Sequence, residues 1–450
     1  MIQGDTISAI ATAPGRGGVA VVRVSGPEAL SVAGRLTGKG SRFQDSGSRF
    51  QVLRLYSPQP ETSNLKPETF LDEAVVLLFR APYSYTGEDV VEFQCHGGTV
   101  TPRRVLEACL AAGARLARRG EFTERAFLNG KLDYGQAESV LDLVDAKTAR
   151  AADAALEGLA GRRARECRAL YERALDLSTR IEHALDVDEG ELPVGFTGNL
   201  KSEISDLKSQ IADAIRKANE GKILREGALV VLAGPPNAGK SSLLNALLEE
   251  NRAIVSDVPG TTRDSIEAWI DLDGWPVRLV DTAGLHETDD ALEVEGMRRA
   301  EELITKADVI VALVNCGDRN VAAPLSKPYA VGAATFLSPQ TLVVRPKCDL
   351  SRGEGLNVSA KTGEGLEELK RAIVAKLEAK VRADDCGDVP EGDVAAYQET
   401  LALLGGGREE DLVLLANAVR AAAERLGAAV GAIYSSDMLD NLFSRFCVGK

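Results

Sequence analysis

The sequence is poor in the residues that build metal centres and disulfide frameworks. Its 450 residues include only three histidines and seven cysteines, and no two cysteines form a C-x-x-C pair. An odd number of cysteines without paired spacing is typical of free thiols in a reducing compartment, rather than of disulfides or a zinc site. We therefore expect neither a disulfide scaffold nor a histidine-rich metal centre.

Long apolar runs are also lacking. No stretch approaches the ~20 apolar residues that a membrane-spanning helix needs. Residues 1–5 have neither the basic region nor the apolar core that begin a signal peptide. These absences predict a cytoplasmic protein that does not enter the membrane, and the length allows about two to four domains.

Net positive charge is lacking as well, since the formal net charge is −14. Proteins that act on nucleic acid are often basic, so this charge counts against RNA as a partner. Arginines nevertheless cluster within residues 103–131 and 162–168. Such a cluster can bind phosphates in an acidic protein, and a solvated helix face explains the same pattern. The charge leaves both interpretations open.

A phosphate-binding loop lies in the middle of the chain. Residues 234–241 read GPPNAGKS, which matches G-x-x-x-x-G-K-S, and they stand between an apolar run at 228–233 and a helical pattern. In this context backbone N–H groups surround the phosphates, and the helix N-terminus favours negative charge. We expect Lys240 to reach the β- and γ-phosphates and the Ser241 hydroxyl to bind Mg²⁺.

Two downstream segments indicate a GTPase rather than a kinase. Residues 257–264 read DVPGTTRD and form a switch-like loop, in which Thr262 would complete the Mg²⁺ shell. Residues 281–284 read DTAG after an apolar run, so Asp281 would hold the metal through water and the Gly284 N–H would meet the γ-phosphate.

The base-reading loops are predicted at residues 346–349, PKCD, and 359–361, SAK. Asp349 would accept from guanine N1 and N2, which adenine cannot match, and Lys347 would pack over the base. Pro346 stands where an asparagine is usual, so we expect weaker nucleotide binding with guanine still selected. The predicted GTP-binding residues are Asn237, Ala238, Gly239, Lys240, Ser241, Ser242, Ser256, Asp257, Val258, Pro259, Gly260, Thr261, Thr262, Asp281, Thr282, Ala283, Gly284, Lys347, Asp349, Ser359, Ala360 and Lys361.

A catalytic glutamine is missing after the DTAG segment. Many small GTPases use a glutamine there to orient the attacking water, whereas this chain has Leu285. An aliphatic side chain cannot polarise water. The chain must therefore hydrolyse GTP slowly or supply its catalytic groups from elsewhere.

The alternation of apolar runs predicts a multidomain α/β and α+β protein. We expect an α+β domain over residues 1–123, a helical domain built from 124–220 and 381–450, and an α/β G domain over 221–380 inserted in it.

Four further segments, combined with the G motifs, resemble the MnmE (TrmE) family of tRNA-modification GTPases over essentially the whole chain. They are residues 15–26, 84–98, 120–133 and the terminal FCVGK at 446–450. The resemblance implies that the N-terminal α+β domain binds tetrahydrofolate and dimerises. It also implies that the G domains pair across their switch faces, with a potassium ion in the site.

The family's activity implies a reaction and partners. Together with a flavin-dependent partner, MnmG (GidA), such a GTPase adds an aminomethyl or carboxymethylaminomethyl group to carbon 5 of the tRNA wobble uridine. A 5-formyl or 5,10-methylene derivative of tetrahydrofolate supplies the carbon, and FAD enters only through the partner. The expected assembly is a homodimer that forms a heterotetramer with MnmG and acts on tRNA.

The resemblance also assigns residues. The folate contacts match Arg23, Glu92, Lys131 and Lys450, where the cations would hold the glutamate carboxylates of the folate tail and Glu92 the pterin N–H edge. The potassium ligands match Asn237, Ser256, Val258 and Thr261, and Glu293 matches the catalytic glutamate that orients water through a bridge. Without the resemblance, the folate contacts are ordinary surface charges and Glu293 is an exposed acid at a helix start.

Alternative interpretations stay open for the role of Cys447 and for the overall activity. Cys447 lies near the one-carbon site by resemblance, while a structural thiol and a prenylated terminus are the other interpretations. The rival activity is a regulatory RNA-binding GTPase switch in ribosome assembly. That activity explains the G motifs and the arginines but not the N-terminal segments or FCVGK.

Overall fold

The computed structural model describes residues 4–39, 50–58, 69–187, 196–235, 237–250, 267–281, 302–314, 340–350, 355–382, 393–406, 412–430 and 442–449. The strands are β1 (Ile7–Ile10), β2 (Val19–Ser25), β3 (Phe50–Tyr56), β4 (Phe70–Phe79), β5 (Val90–His96), β6 (Arg115–Leu116), β7 (Ala228–Ala233), β8 (Glu267–Leu272), β9 (Trp275–Asp281), β10 (Val309–Leu313), β11 (Thr341–Pro346) and β12 (Leu356–Val358). The helices are α1 (Ala29–Leu36), α2 (Thr101–Ala111), α3 (Glu121–Leu128), α4 (Tyr134–Asp145), α5 (Ala149–Leu159), α6 (Arg162–Leu185), α7 (Phe196–Glu226), α8 (Lys240–Glu250), α9 (Leu366–Arg382), α10 (Asp393–Gly406) and α11 (Leu412–Val430).

The chain forms two compact units, the first from residues 1–141 with 433–450 and the second from residues 142–432. Helix α3 runs through the predicted boundary at 123/124, and helix α7 runs through the one at 220/221. The exact domain boundaries therefore stay predictions. None of the described helices is long and apolar enough to cross a lipid bilayer.

The first unit is built on a mixed sheet with the strand order β3-β4-β5-β2-β1-β6. Neighbouring strands are antiparallel except β1 and β6, which are parallel. Alternate residues of β5, Val91, Phe93 and Cys95, are buried in a core shared with α1 and α2. This period of two is what a sheet covered by helices on one face requires, and the predicted α+β fold is confirmed.

The end of the chain belongs to the first unit. Phe443 and Phe446 are buried in a cluster with Ala137 and Leu141. Beyond them the backbone meets the segment before α3, because the Gly120 N–H donates to the Cys447 carbonyl at 3.4 Å. Residues 119 and 448 also form an antiparallel bridge. Apolar packing and backbone pairing thus hold residues 442–449 in place.

The second unit contains a sheet with the order β12-β11-β10-β7-β9-β8, parallel except for the antiparallel β8–β9 hairpin. Strands β7 and β10 are buried at every position. Unbroken apolar strands are typical of parallel sheets with both faces covered. The predicted α/β fold of the G domain is confirmed.

Helices from both sides of the G domain in sequence share one further core. It combines Leu177 and Ile181 of α6, Leu207 of α7, and Val419 and Leu426 of α11. Such a shared core is what insertion of the G domain into a helical domain requires.

Candidate functional site

The predicted phosphate and base loops meet at one cavity of about 290 Å³ in the second unit. It lies where β7, β11 and β12 end, at the carboxyl edge of the sheet, which is the usual ligand position in open α/β sheets. The lining residues are Gly239, Ser242, Leu243, Pro346, Lys347, Asp349, Leu350, Val358, Ser359, Ala360 and Lys361. The fold therefore brings the phosphate loop together with both predicted base-reading loops.

The Asp349 carboxylate is oriented by the second base-reading loop. The Ser359 hydroxyl donates to Asp349 Oδ1 at 2.7 Å, and Ser359 is itself fully buried. The Thr362 N–H donates back to Ser359 Oγ at 3.3 Å. Because an ionised carboxylate offers about four acceptor positions, Asp349 keeps the capacity to accept from guanine N1 and N2.

Lys347 ties the base loop to the phosphate loop. Its ammonium donates to the Asn237 carbonyl at 3.0 Å. Both residues have a positive φ of 61°, and asparagine is among the few non-glycine residues that adopt this conformation readily. This brace depends on position 347, so it is present even though Pro346 has no side-chain amide.

Lys240 lies inside the phosphate loop and is only 6% exposed. Its ammonium donates to the carbonyls of Gly234 at 2.9 Å and Pro235 at 3.0 Å. Burial lowers the pKa of Lys240, and the nearby Asp281 carboxylate opposes that shift. A buried ammonium held among carbonyls of the phosphate loop suits a site for a polyanion.

Ser241 and Asp281, both predicted at the Mg²⁺ site, are in direct contact. The Ser241 hydroxyl donates to Asp281 Oδ2 at 2.6 Å, which joins the start of α8 to the end of β9. A hydroxyl and a carboxylate are hard oxygen ligands of the kind Mg²⁺ prefers, so this pair fits a magnesium ion.

Several predicted residues lie outside the described part of the chain. They are Ser256, Asp257, Val258, Pro259, Gly260, Thr261, Thr262, Thr282, Ala283, Gly284, Glu293 and Lys450. Their roles stay predictions. Of the predicted potassium ligands, only Asn237 is described, and its side chain is exposed.

In the first unit, Arg23 and Glu92 are cross-strand partners on β2 and β5. Arg23 Nε donates to Glu92 Oε1 at 2.8 Å. The guanidinium lies 5.4 Å from the centre of the Tyr85 ring and 5.5 Å from that of Phe122. Within the described chain, no residue accepts from the terminal nitrogens of Arg23, so they can bind a carboxylate.

Lys131 flanks the loop that carries Tyr85. Its ammonium donates to the Pro82 carbonyl at 3.1 Å, and its Cγ would lie 3.2 Å from a Cβ placed on Gly87. Arg23 and Lys131 therefore contact the same loop, residues 82–87. The fold brings three of the four predicted folate contacts to one region, and Cys447, which is exposed, lies in the same unit.

Two family models account for most of the chain. The GTP-binding protein TrmE N-terminus matches residues 6–131, and the MnmE helical domain matches residues 135–447. The tRNA modification GTPase MnmE of Symbiobacterium thermophilum is 40% identical over 462 residues, with 99% of both chains covered. That of Stutzerimonas stutzeri is 37% identical over 474 residues, also with 99% of both covered.

The chain belongs to the MnmE family of tRNA modification GTPases.

Among solved structures, the G domain of the T. maritima FeoB iron transporter is 24% identical to this MnmE-family chain. It covers 33% of this chain and 98% of its own, with a TM-score of 0.24. So low a score supports no argument. The family assignment depends on the two family models and the full-length relatives.

Sequence reasoning missed a network of charges around the buried Glu121 and Arg125 in the N-terminal unit of this MnmE-family chain. Arg125 bonds Asp5 Oδ1 at 2.6 Å, Glu88 at 3.1 Å and Glu121 at 3.2 Å, and Arg115 bonds Glu121 at 2.6 Å. Burial would raise the pKa of Glu121, but hydrogen bonds, first of all from Arg115, outweigh it and hold that pKa at about 2.

The network bears on the arginine clusters. Arg125 has a side chain only 10% exposed, so it is a structural ion-pair partner rather than part of a phosphate-binding face. In the second cluster, Arg162 pairs with Glu157 at 2.6 Å and Glu166 at 2.9 Å. A run of arginines in the sequence does not show which carboxylates the fold places beside them. Only the periodicity of buried positions could have indicated that Arg125 is buried and the other arginines of its cluster are not.

Proposed function

We propose that this chain, a GTP hydrolase that acts in tRNA modification, is stimulated by K⁺ and modifies carbon 5 of the wobble uridine with a flavin-dependent partner, MnmG. The group added is aminomethyl or carboxymethylaminomethyl. The proposed place of action is the cytoplasm, and the proposed assembly is a homodimer that binds MnmG and tRNA.

The G domain supplies binding, orientation and charge. Lys240 would neutralise the β- and γ-phosphates, Ser241 and Asp281 would hold Mg²⁺, and Asp349 would select guanine. In the proposed mechanism Asn237, Ser256, Val258 and Thr261 would hold K⁺, and Glu293 would orient the water that Leu285 cannot. The positive charge held there would be of the kind that an arginine finger supplies, which is worth ~10³–10⁵ in rate in related enzymes.

A single observation supports the folate part of the proposal. Residues 442–449 are built into the same unit as the Arg23–Glu92 pair. The link is short, because the guanidinium of Arg23 lies over Phe122 and the Gly120 N–H, just before α3, bonds the Cys447 carbonyl. Two segments of the family resemblance, one from each end of the sequence, thus meet.

Tetrahydrofolate would supply the one-carbon unit. The terminal nitrogens of Arg23, with the ammonium groups of Lys131 and Lys450, would hold its carboxylates. Glu92, 15% exposed at its side chain, would accept from the pterin edge. Cys447 is placed near the site by this proposal, with no chemical step assigned to it.

Exposed apolar residues on the edge strand β3 support a homodimer. Phe50 and Val52 of β3, which point the same way as Arg23 across the register, are 69% and 65% exposed. Apolar strand residues at this exposure are typical of a surface that another chain covers.

The test is deletion of residues 447–450 in cells that lack the intact gene. Mass spectrometry of wobble uridine should show loss of the modified base, while the purified variant hydrolyses GTP at the normal rate. Calorimetry should show weaker binding of 5-formyltetrahydrofolate. Full modification by the truncated protein would contradict the placement of the folate site at residues 447–450.

A further inference from the structure

The start of helix α5 is bonded to the turn of the β8–β9 hairpin. Thr148, the N-cap of α5, is buried, and its hydroxyl makes two hydrogen bonds. It accepts from the Ala151 N–H at 3.2 Å and donates to the Gly274 carbonyl at 2.8 Å. Because a hydroxyl can donate one hydrogen bond and also accept, the Thr148 side chain both caps helix α5 and bonds the hairpin turn.

Arg150 makes a second contact between the start of α5 and the hairpin. Its guanidinium carbon lies 4.1 Å from the centre of the Trp275 ring, which is only 1% exposed. A terminal nitrogen donates to Glu220 Oε1 of α7 at 2.6 Å. The approach is close, since a Cβ on Gly274 would lie 3.1 Å from Arg150 Cβ, and Gly274 has a φ of +85°. Arg150 is thus fixed between the hairpin and α7.

This hairpin leads directly to the nucleotide site. Strand β9 begins at Trp275 and ends at Asp281, whose carboxylate accepts from Ser241 at 2.6 Å. Along its length β9 pairs with β7, from 228↔277 to 232↔281, and β7 leads into the phosphate loop. Glu220, the other partner of Arg150, lies on α7, which is joined to β7 by Gly227. Thr148 and Arg150 therefore contact the turn that begins β9 and the helix that leads into β7.

We infer that Thr148 and Arg150 are positioning residues for GTP hydrolysis, acting through the β8–β9 hairpin on Asp281. Neither residue lines the nucleotide cavity in the part of the chain that the structure describes, so we assign them no direct contact with guanine or phosphate. Their effect is on the placement of Asp281 relative to Ser241, where a shift of about 1 Å can cost ~10²-fold in rate. This inference does not depend on the folate proposal.

Conservative pairs of variants provide the test. Thr148→Val keeps the shape and removes the hydroxyl, while Thr148→Ser keeps the hydroxyl. Arg150→Met keeps much of the length and removes the charge. The matched control is Arg162→Met, on α6, whose guanidinium pairs with Glu157 and Glu166 and has no contact with the hairpin among the described residues.

The measurements are kcat and KM for GTP in the full chain, with the active-site concentration set by stoichiometric binding of fluorescent GDP. Thr148→Val and Arg150→Met should lower kcat at least about fivefold, with KM and GDP affinity within about twofold. Thr148→Ser and Arg162→Met should match the wild type. Thermal unfolding would show whether the variants are folded at the assay temperature.

Two results would overturn the inference. One is an unchanged kcat per GDP-binding site in both Thr148→Val and Arg150→Met. The other is a loss that Arg162→Met shares, or that Thr148→Ser fails to restore, because either would indicate a general weakening of the helical part. Scoring activity per binding site separates positioning from loss of folded protein.

Discussion

At the scale of single residues, the nucleotide site depends on side chains that other side chains hold in place. Asp349 is oriented by Ser359, and Lys347 reaches back to the Asn237 carbonyl. Preorganisation of this kind lowers the cost of binding, because the groups need not be ordered when the ligand arrives. On the predicted role of Asp349, the choice of base would depend on the hydrogen-bonding pattern of one carboxylate.

Changing Asp349 to asparagine should change that choice. The amide presents a carbonyl oxygen, which accepts, and an NH₂ group, which only donates, so it loses one of two bonds to guanine and gains one to the O2 of xanthine. We expect GDP affinity to fall about 100-fold, since each bond to a charged group contributes ~1.5–3 kcal/mol, while XDP affinity rises. Equilibrium titration with fluorescent GDP and XDP measures both, and Asp213→Asn, on the exposed face of α7, is the control. An unchanged preference for guanine would contradict the assigned role.

Glu121 should set the acid stability of the first unit. Its pKa is about 2 in the folded protein against an ordinary 4.5, so its contribution is complete above 4.5 and is lost as the pH falls from there towards 2. Glu121→Gln should lower the free energy of unfolding by about 2–4 kcal/mol at pH 7, because Arg115 and Arg125 lose a buried partner.

Calorimetric unfolding between pH 3 and 7 measures this effect. The wild type should lose stability steeply below pH 4.5, and Glu121→Gln should show a flatter dependence. Glu107→Gln is the control, because Glu107 is 64% exposed and lies 3.6 Å from Arg103. Equal pH profiles for wild type and Glu121→Gln would show that the network does not stabilise the fold.

At the scale of elements, the sequence predicted individual strands and helices more clearly than it predicted which of them contact each other. The apolar run at 228–233 is β7, and the phosphate loop that follows it contributes to the lining of the nucleotide cavity. This part could be predicted because the strand, the phosphate loop and the helix follow one another directly in the sequence. The Thr148–Gly274 contact joins residues far apart in the chain. Threonine and glycine carry no sequence pattern that would pair them, so only the fold reveals that hydrogen bond.

The docked C-terminal segment should be sensitive to one glycine. Gly449 has a φ of +107°, and a Cβ there would collide with the Ile10 carbonyl. Gly449→Ala should therefore release the segment, weaken 5-formyltetrahydrofolate binding about tenfold or more under the proposed function, and leave GTP hydrolysis unchanged.

Hydrogen exchange of residues 442–449 measures release directly. Val448→Ala is the matched control, since that side chain is 44% exposed while its backbone makes the bridge to residue 119. Unchanged exchange in Gly449→Ala would show that the segment tolerates a side chain there, and the steric argument would be wrong.

At the scale of the whole molecule, the residues predicted to read guanine and those predicted to bind folate belong to different compact units, so the two predictions can be tested separately. The proposed potassium mechanism predicts that GTP hydrolysis is strongly faster in K⁺ than in Na⁺, by ~10-fold or more, because a correctly sized cation would replace the missing arginine finger.

Asn237→Ala should abolish the difference between the two salts and leave GDP binding largely intact. Asn237 has a positive φ, so Asn237→Gly is the companion variant, which removes the amide without straining the backbone. Equal rates in K⁺ and Na⁺ for the wild type would refute the potassium mechanism without affecting the folate site.

The position of residues 442–449 has a consequence for synthesis on the ribosome. Residues 4–141 emerge first, but Phe443 and Phe446, which cover Ala137 and Leu141, emerge after the entire second unit. At ~5–20 residues per second the nascent chain waits roughly 15–60 s with that apolar surface uncovered, long enough for a chaperone to bind it. A product released early would carry a finished GTPase and an unfinished N-terminal unit, so an aborted chain could consume GTP without doing its work.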